Sequence, residues 1–225
     1  MKCISFDVGI KNLAYCILDI ESSKICHWGI LNISTDLQCQ HIHKGKQCDK
    51  SAKFIDENNF LVCNNHKQIK KYQDNKFKKC KKKVNPIFDM GKHIMNTLNN
   101  EPYLSDIEYV LIENQPALKN PVMKTVQMIV YSYYLTKCLE KDQIKNIEMI
   151  NARNKLKAYQ GPDIKCDITD KYKKNKWLAI KYCEQMISQE NSIFQELFNS
   201  SKKKDDLSDS YLQGVYWIQK NHTIK

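Results

Sequence analysis

The chain reads as an α/β domain, a mixed β-sheet flanked by helices, carrying a small Cys/His-rich insertion. Three observations predict it. Three short apolar runs at 2–8, 13–20 and 25–33 follow one another with brief breaks. Two further strand-like runs, 109–112 and 144–150, alternate with helical patterns at 118–140, 170–190 and 204–220. Between these halves, residues 37–66 follow neither period and hold clustered Cys and His.

The first three runs are rich in Ile, Leu, Val, Phe, Tyr and Cys, and the breaks Gly9-Ile10-Lys11-Asn12 and Glu21-Ser22-Ser23-Lys24 are short enough to predict an antiparallel meander. Residues 67–99 are expected to be helical, first strongly basic and then amphipathic through Ile87, Met90, Ile94, Met95 and Leu98. Tyr109-Val110-Leu111-Ile112 is a buried strand by composition. Residues 118–140 are apolar on most sides, more than one sheet face requires, which suggests a homodimer interface as well as core. The segments 160–169 and 189–203 are expected as loops. The domain organisation predicted is 1–36 with 67–225 as one domain and 37–66 as an insertion.

Composition narrows the class. With 225 residues, 36 Lys+Arg against 25 Asp+Glu and a net charge of +11, the chain favours a polyanionic partner. Ten cysteines would suit a disulfide scaffold in a short secreted protein, but this chain is long enough to bury a core. The apolar run Cys3–Phe6 begins almost at Met1, so no presequence is expected, and the cysteines then fit a reducing, intracellular compartment. No apolar stretch approaches the ~18 residues of a membrane span, so no membrane partner is expected.

Carboxylates at element ends carry the chemistry. Asp7 closes the first strand in Phe6-Asp7-Val8-Gly9, with Gly9 allowing a tight turn. Glu113 closes an otherwise apolar strand in Ile112-Glu113-Asn114-Gln115-Pro116, where a charge is costly unless paired or metal-bound. In Lys202-Lys203-Lys204-Asp205-Asp206-Leu207-Ser208-Asp209, Asp206 and Asp209 are three apart and share a helix face near an N-terminus. Asp205 points elsewhere, so Asp206 is preferred. Four clustered carboxylates need cations at neutral pH, and hard divalent ions with oxygen ligands supply them. Two such ions are suited to in-line attack on a phosphodiester.

This ordered set, Asp7 with Gly9 and Asn12, Glu113 in Ile-Glu-Asn-Gln-Pro, and Asp206 with Asp209, resembles the RuvC-type Holliday junction resolvases of the ribonuclease H-like superfamily. The wording around Glu113 and the Cys/His insertion are most similar to the branch found in large DNA viruses. The resemblance implies a ribonuclease H-like fold and a homodimer that nicks two strands of a four-way DNA junction symmetrically, in DNA recombination and repair. It implies Asp7, Glu113, Asp206 and Asp209 as catalytic acids holding two Mg²⁺ or Mn²⁺ per active site. For a viral member the compartment would be the host cytoplasm.

The insertion has its own signature. Cys39, Cys48, Cys63 and His66 form C-x8-C-x14-C-x2-H, which predicts one structural Zn²⁺ per chain, with His41 and His43 as rival ligands. Phe54, Phe60 and Leu61 would supply its small core. From Lys67 to Lys83, nine lysines face one acid, Asp74, and account for about +8 of the charge. Tyr72 and Phe77, interleaved there, either stack on an unpaired base or pack inward. The DNA contacts expected are Lys11, Asn12, Lys78, Lys79, Lys81, Lys82, Lys83, Lys119, Lys124, Arg153, Lys155, Lys202, Lys203 and Lys204, mostly to phosphates.

Other readings are a nuclease of the same superfamily acting on forks, flaps or RNA–DNA hybrids, and a non-catalytic zinc-stabilised DNA-binding protein. A sugar-kinase or actin-like ATPase, which also opens on Asp-x-Gly, is disfavoured by only 6 Gly and no second phosphate loop.

Overall fold

A computed structural model describes residues 1–81, 86–118, 120–140 and 142–222. Lys82, Lys83 and Lys119, expected to contact DNA, lie outside them. The chain divides into two compact units, one of residues 1–33 with 91–225 and one of residues 34–90.

In chain order, β1 (Lys2–Val8), β2 (Asn12–Asp19) and β3 (Ile25–Asn32) form the expected antiparallel meander, with Lys2 opposite Asp19 and Asn12 opposite Asn32. Gly9 is required at the first turn. Its N–H donates to the Asn12 carbonyl at 3.0 Å, and a Cβ there would stand 2.7 Å from that oxygen.

The second unit is built from two-residue strands: β4 (Ile42–His43), β5 (Lys46–Gln47), β6 (Phe54–Ile55), β7 (Leu61–Val62) and β8 (Lys78–Lys79), with the short helix α1 (Asn64–Lys67). β4 pairs with β5, and β6 lies between β7 and β8. The continuous helix expected over 67–99 does not form. A 3₁₀ turn at Lys70–Tyr72 and then β8 occupy its basic half, because β8 pairs back onto β6 and because Tyr72 turns into a core of Cys39, Val62 and Cys63, with Phe60 and Phe77 against it. The same pairing makes the unit longer than 37–66. Tyr72 and Phe77 thus pack inward.

α2 (Pro86–Asn99) returns the chain to the first unit, followed by β9 (Tyr109–Glu113), α3 (Pro121–Glu140), β10 (Asn146–Ile150), α4 (Lys171–Met186), α5 (Ser192–Ser200) and α6 (Lys204–Asn221). α5 falls inside the expected loop 189–203. Its apolar Ile193, Phe194, Leu197 and Phe198 follow a cap in which the Asn191 side chain accepts from the Ile193 N–H. The sheet order is β10-β9-β1-β2-β3, with β9 parallel to both neighbours, which makes it mixed as predicted.

Helices cover both faces. Along β1, Ser5 meets Gln213 of α6, whereas the Phe6 ring packs 5.7 Å from Tyr134 of α3. Alternation therefore sends Cys3, Ser5 and Asp7 toward α6. Ten of the eighteen α6 residues are buried, and a Cβ on Gly214 would come within 2.6 Å of Leu18 Cδ1. Residues 160–169 hold no helix or strand.

Candidate active site

Parallel pairing of β1 with β9 sets Phe6 opposite Ile112, so the next residues, Asp7 and Glu113, end neighbouring strands side by side. Both lie on the α6 face, since Ser5 and Leu111 two residues earlier do. α6 brings Asp209 to the same place. β10 then leads into a 3₁₀ segment, Ala152–Ala158, whose N-cap Asn151 accepts from the Arg153 N–H. That turn swings Lys155 between the acids: its Nζ lies 3.7 Å from Glu113 Oε1 and is ion-paired with Asp209 Oδ2.

The electrostatics follow from crowding. Burial pushes the Asp7 carboxyl well above the usual carboxylate range, and the charges of Glu113 and Asp209 push it further while Lys155 opposes. A hydrogen bond with Glu113 adds to the same upward push on Asp7. Asp209 is raised to about 6, mainly by burial, with Lys155 pulling it back. Lys155 is buried too, yet its ammonium is held above the ordinary range by Asp209, Glu113 and Asp7. Three acids around one lysine thus lack positive charge. Their all-oxygen donor set suits a hard divalent cation such as Mg²⁺ or Mn²⁺.

Asp206 stands one step outside this group. Burial and the neighbouring Asp205 raise it, while the Asn12 side chain donates to it and Lys203 Nζ lies 3.7 Å away. Asp205 instead pairs with Lys176 at 2.7 Å. The two adjacent acids therefore face different partners, and Asp206 is the one turned toward the β1–β2 loop.

Glu113 is itself held. Gln115 Nε2 donates to Glu113 Oε2 at 2.5 Å and to the Val8 carbonyl at 3.3 Å. The Gln115 N–H donates to Gln127 Oε1 at 2.8 Å, and Lys124 Nζ donates to Gln127 Oε1 and Asn114 Oδ1, both at 3.2 Å. The sequence pattern singles out Gln115 and, in Met123-Lys124-Thr125-Val126-Gln127, Gln127, but gives neither a role. It placed Lys155 among phosphate contacts, with no signal that the lysine enters the acid group. Lys124 and Asn12, expected at DNA, are likewise engaged with this site.

Of the other expected DNA contacts, Lys11, Arg153, Lys202 and Lys203 are exposed in the first unit, and Lys78, Lys79 and Lys81 are exposed in the second. Lys204 is drawn to Glu184 at 3.9 Å and lies 5.1 Å from the Phe198 ring centroid.

In the second unit, Cys39, Cys48, Cys63 and His66 offer ligand atoms that all lie within 4.8 Å of one another. His66 Nδ1 is 3.3 Å from Cys39 Sγ and 3.5 Å from Cys63 Sγ. Tetrahedral zinc with ordinary bond lengths separates such atoms by about 3.5 Å, so the donor set fits zinc in chemistry and size. Burial disfavours the Cys63 thiolate, yet the N–H groups of His66 and Asn65 bring its thiol below the ordinary value. The rivals fall outside the set. His41 Nδ1 is 3.0 Å from the Tyr72 hydroxyl and its ring lies 3.9 Å from that of His66, while His43 is exposed on β4.

No protein-family model matches the chain. A protein of Acanthamoeba polyphaga mimivirus described as uncharacterized is 27% identical over 316 aligned residues, covering 97% of this chain and 75% of its own. Among solved structures, the yeast mitochondrial Holliday junction resolvase Ydc2 is similar with a TM-score of 0.55 and 16% identity, over 96% of this chain and 78% of that one. Thermus thermophilus RuvC is similar at 0.50 and 8% identity, over 98% and 95%. The chain thus has the RuvC-like, ribonuclease H-like fold of those resolvases, and its sequence relative is viral. Among the described residues, no helix is long and apolar enough to cross a membrane.

Proposed function

We propose that the chain is a metal-dependent endonuclease that resolves four-way DNA junctions by paired, symmetric nicks as a homodimer. The observation that carries this reading is the convergence of Asp7, Glu113 and Asp209 on Lys155, at the ends of β1 and β9 and near the start of α6, on a resolvase fold. Asp7, Glu113, Asp206 and Asp209 would hold two Mg²⁺ or Mn²⁺. When bound, such a pair supplies water activation and neutralises charge developing on the leaving 3′ oxygen.

The remaining work falls to the chain. Gln115 and, behind it, Gln127 fix the Glu113 carboxylate so that it need not reorganise during turnover. Lys155 keeps Glu113 and Asp209 from repelling each other apart and presents a buried cation toward the scissile phosphate. Asn12 orients Asp206. The exposed Lys11, Arg153, Lys202 and Lys203 take backbone phosphates and set the register of the duplex arms. In the second unit, Cys39, Cys48, Cys63 and His66 would hold one Zn²⁺ on four protein ligands, a closed and therefore structural site.

The test is cleavage of an immobile four-way junction, compared with a simple fork, in Mg²⁺. Asp7→Asn, Glu113→Gln and Asp209→Asn are each expected to abolish nicking while junction binding survives. Substantial cleavage by two of the three would overturn the assignment, and equal cleavage of the fork would favour the broader flap or fork nuclease.

A further inference from the structure

The second unit, residues 34–90, holds thirteen lysines and no arginine against six acids, so 57 residues carry +7 of the protein's +11. Beside its cysteine cluster it also contains an open cleft of about 710 Å³, lined among others by Leu37, Lys53, Phe54, Asn64, Lys79 and Lys81. That volume lies within the roughly 300–1,000 Å³ of ordinary small-molecule sites.

The register of the small sheet explains the lining. Phe54 on β6 stands directly opposite Lys79 on β8, so ring and ammonium share one face. Lys53 and Lys81 are exposed on the residues that flank these positions. Lys67 Nζ already lies 4.2 Å from the Phe54 ring centroid, which shows the ring accepting a cation on one side. Phe54 packs against the small core of Cys39, Val62, Cys63 and Tyr72 but, unlike the buried Tyr72, stays partly exposed and lines the cleft.

We infer that this cleft binds one unpaired nucleotide of single-stranded DNA. The base stacks on Phe54, Asn64 offers hydrogen bonds to its edge, and Lys53, Lys79 and Lys81 take the flanking phosphates. An apolar peptide is a poor occupant because three lysines line the cleft against one acid, Asp36. A duplex is a poor occupant because its bases are stacked inside and cannot reach the ring. The inference extends the proposed function without resting on its chemistry, since none of the four acids belongs to this unit.

The experiment measures anisotropy of labelled oligo-dT of about twenty residues and of a matched duplex. It uses the full-length protein with its zinc, no chelator and no added Mg²⁺. Phe54→Leu is expected to weaken oligo-dT binding at least about fivefold while duplex affinity changes less than about twofold. Phe54→Trp should bind oligo-dT at least as tightly as the wild type. Lys79→Glu with Lys81→Glu, both at exposed positions, should flatten the salt dependence for oligo-dT by about 1.4 in log–log slope. Zinc content is measured for every variant, so a misfolded unit is recognised, and the lysine pair and Phe54→Trp decide the matter if Phe54→Leu loses metal. Unchanged oligo-dT binding in the lysine pair, or equal losses for single strand and duplex in Phe54→Leu, would overturn the site. Neither result bears on nicking by the acids, which the Asp7→Asn comparison tests separately.

Discussion

The two units hold themselves together by opposite means. In the first, five strands and a helix with ten of its eighteen residues buried place Phe198, Leu207 and Leu212 out of solvent, and Trp28 stacks on Phe198 at 5.6 Å. In the second, no strand among the described residues exceeds two residues, and the buried cluster is Cys39, Val62, Cys63 and Tyr72. So small a core cannot by itself offset the entropy of ordering 57 residues, whereas a metal on the four clustered donors would. The charges divide the same way: the first unit gathers buried acids around Lys155, and the second crowds lysines around its Cys/His cluster.

The largest expected effect separates the units outright. Cys63→Ser with His66→Ala removes two of four ligands, and with them about 10–16 kcal/mol of apparent zinc affinity. Metal analysis should fall from about one zinc per chain to none. Limited proteolysis should then cut within 34–90 and spare the sheet; uniform digestion of the chain would break the comparison.

Next comes the converse, Phe198→Ala, which opens a cavity beneath the fully buried ring. It should cost about 3–5 kcal/mol in urea unfolding of the first unit with zinc content unchanged. A smaller effect is expected at Gln115→Leu, which strips Glu113 of its 2.5 Å donor without touching the core's volume. Nicking should drop about 10–100-fold, with wild-type zinc and junction affinity. Wild-type turnover would mean that Glu113 needs no such support.

The smallest effect lies at the surface. Lys145 holds the Glu108 carboxyl below its ordinary value. A carboxyl lowered in the folded state adds stability above its unfolded pKa of ~4.3, and that stability is lost as pH falls through the lowered value. Glu108→Gln should therefore flatten the acid limb of the stability curve and leave neutral stability nearly level with other surface changes. An unchanged acid limb would remove this pair from the account.

The sheet, α3, α4 and α6 were legible because alternation and helical period are local signals, and the acids stood at the ends of those elements. Lys155 was not legible in its role, because its entry among the acids depends on β10 lying parallel to β9 and on the 3₁₀ turn after it. The basic run after His66 misled for a related reason. Lysines favour helix locally, but Lys78 and Lys79 pair with Phe54 and Ile55 some two dozen residues back, which no period records. The clustering of Cys39, Cys48, Cys63 and His66 was legible from spacing, while the place of His41 beside Tyr72 was not.

The parallel pairing of Cys3 with Tyr109 also sets a folding problem. β1 can zip onto β2 at once, but its other edge must wait for a strand roughly a hundred residues away, with the second unit threaded between. Loop closure over such a span is slow, although each doubling of loop length adds only about 0.6 kcal/mol. A metal bound by both Cys39 and His66 would shorten that loop before β9 arrives, so the sheet should refold faster with zinc than in its absence.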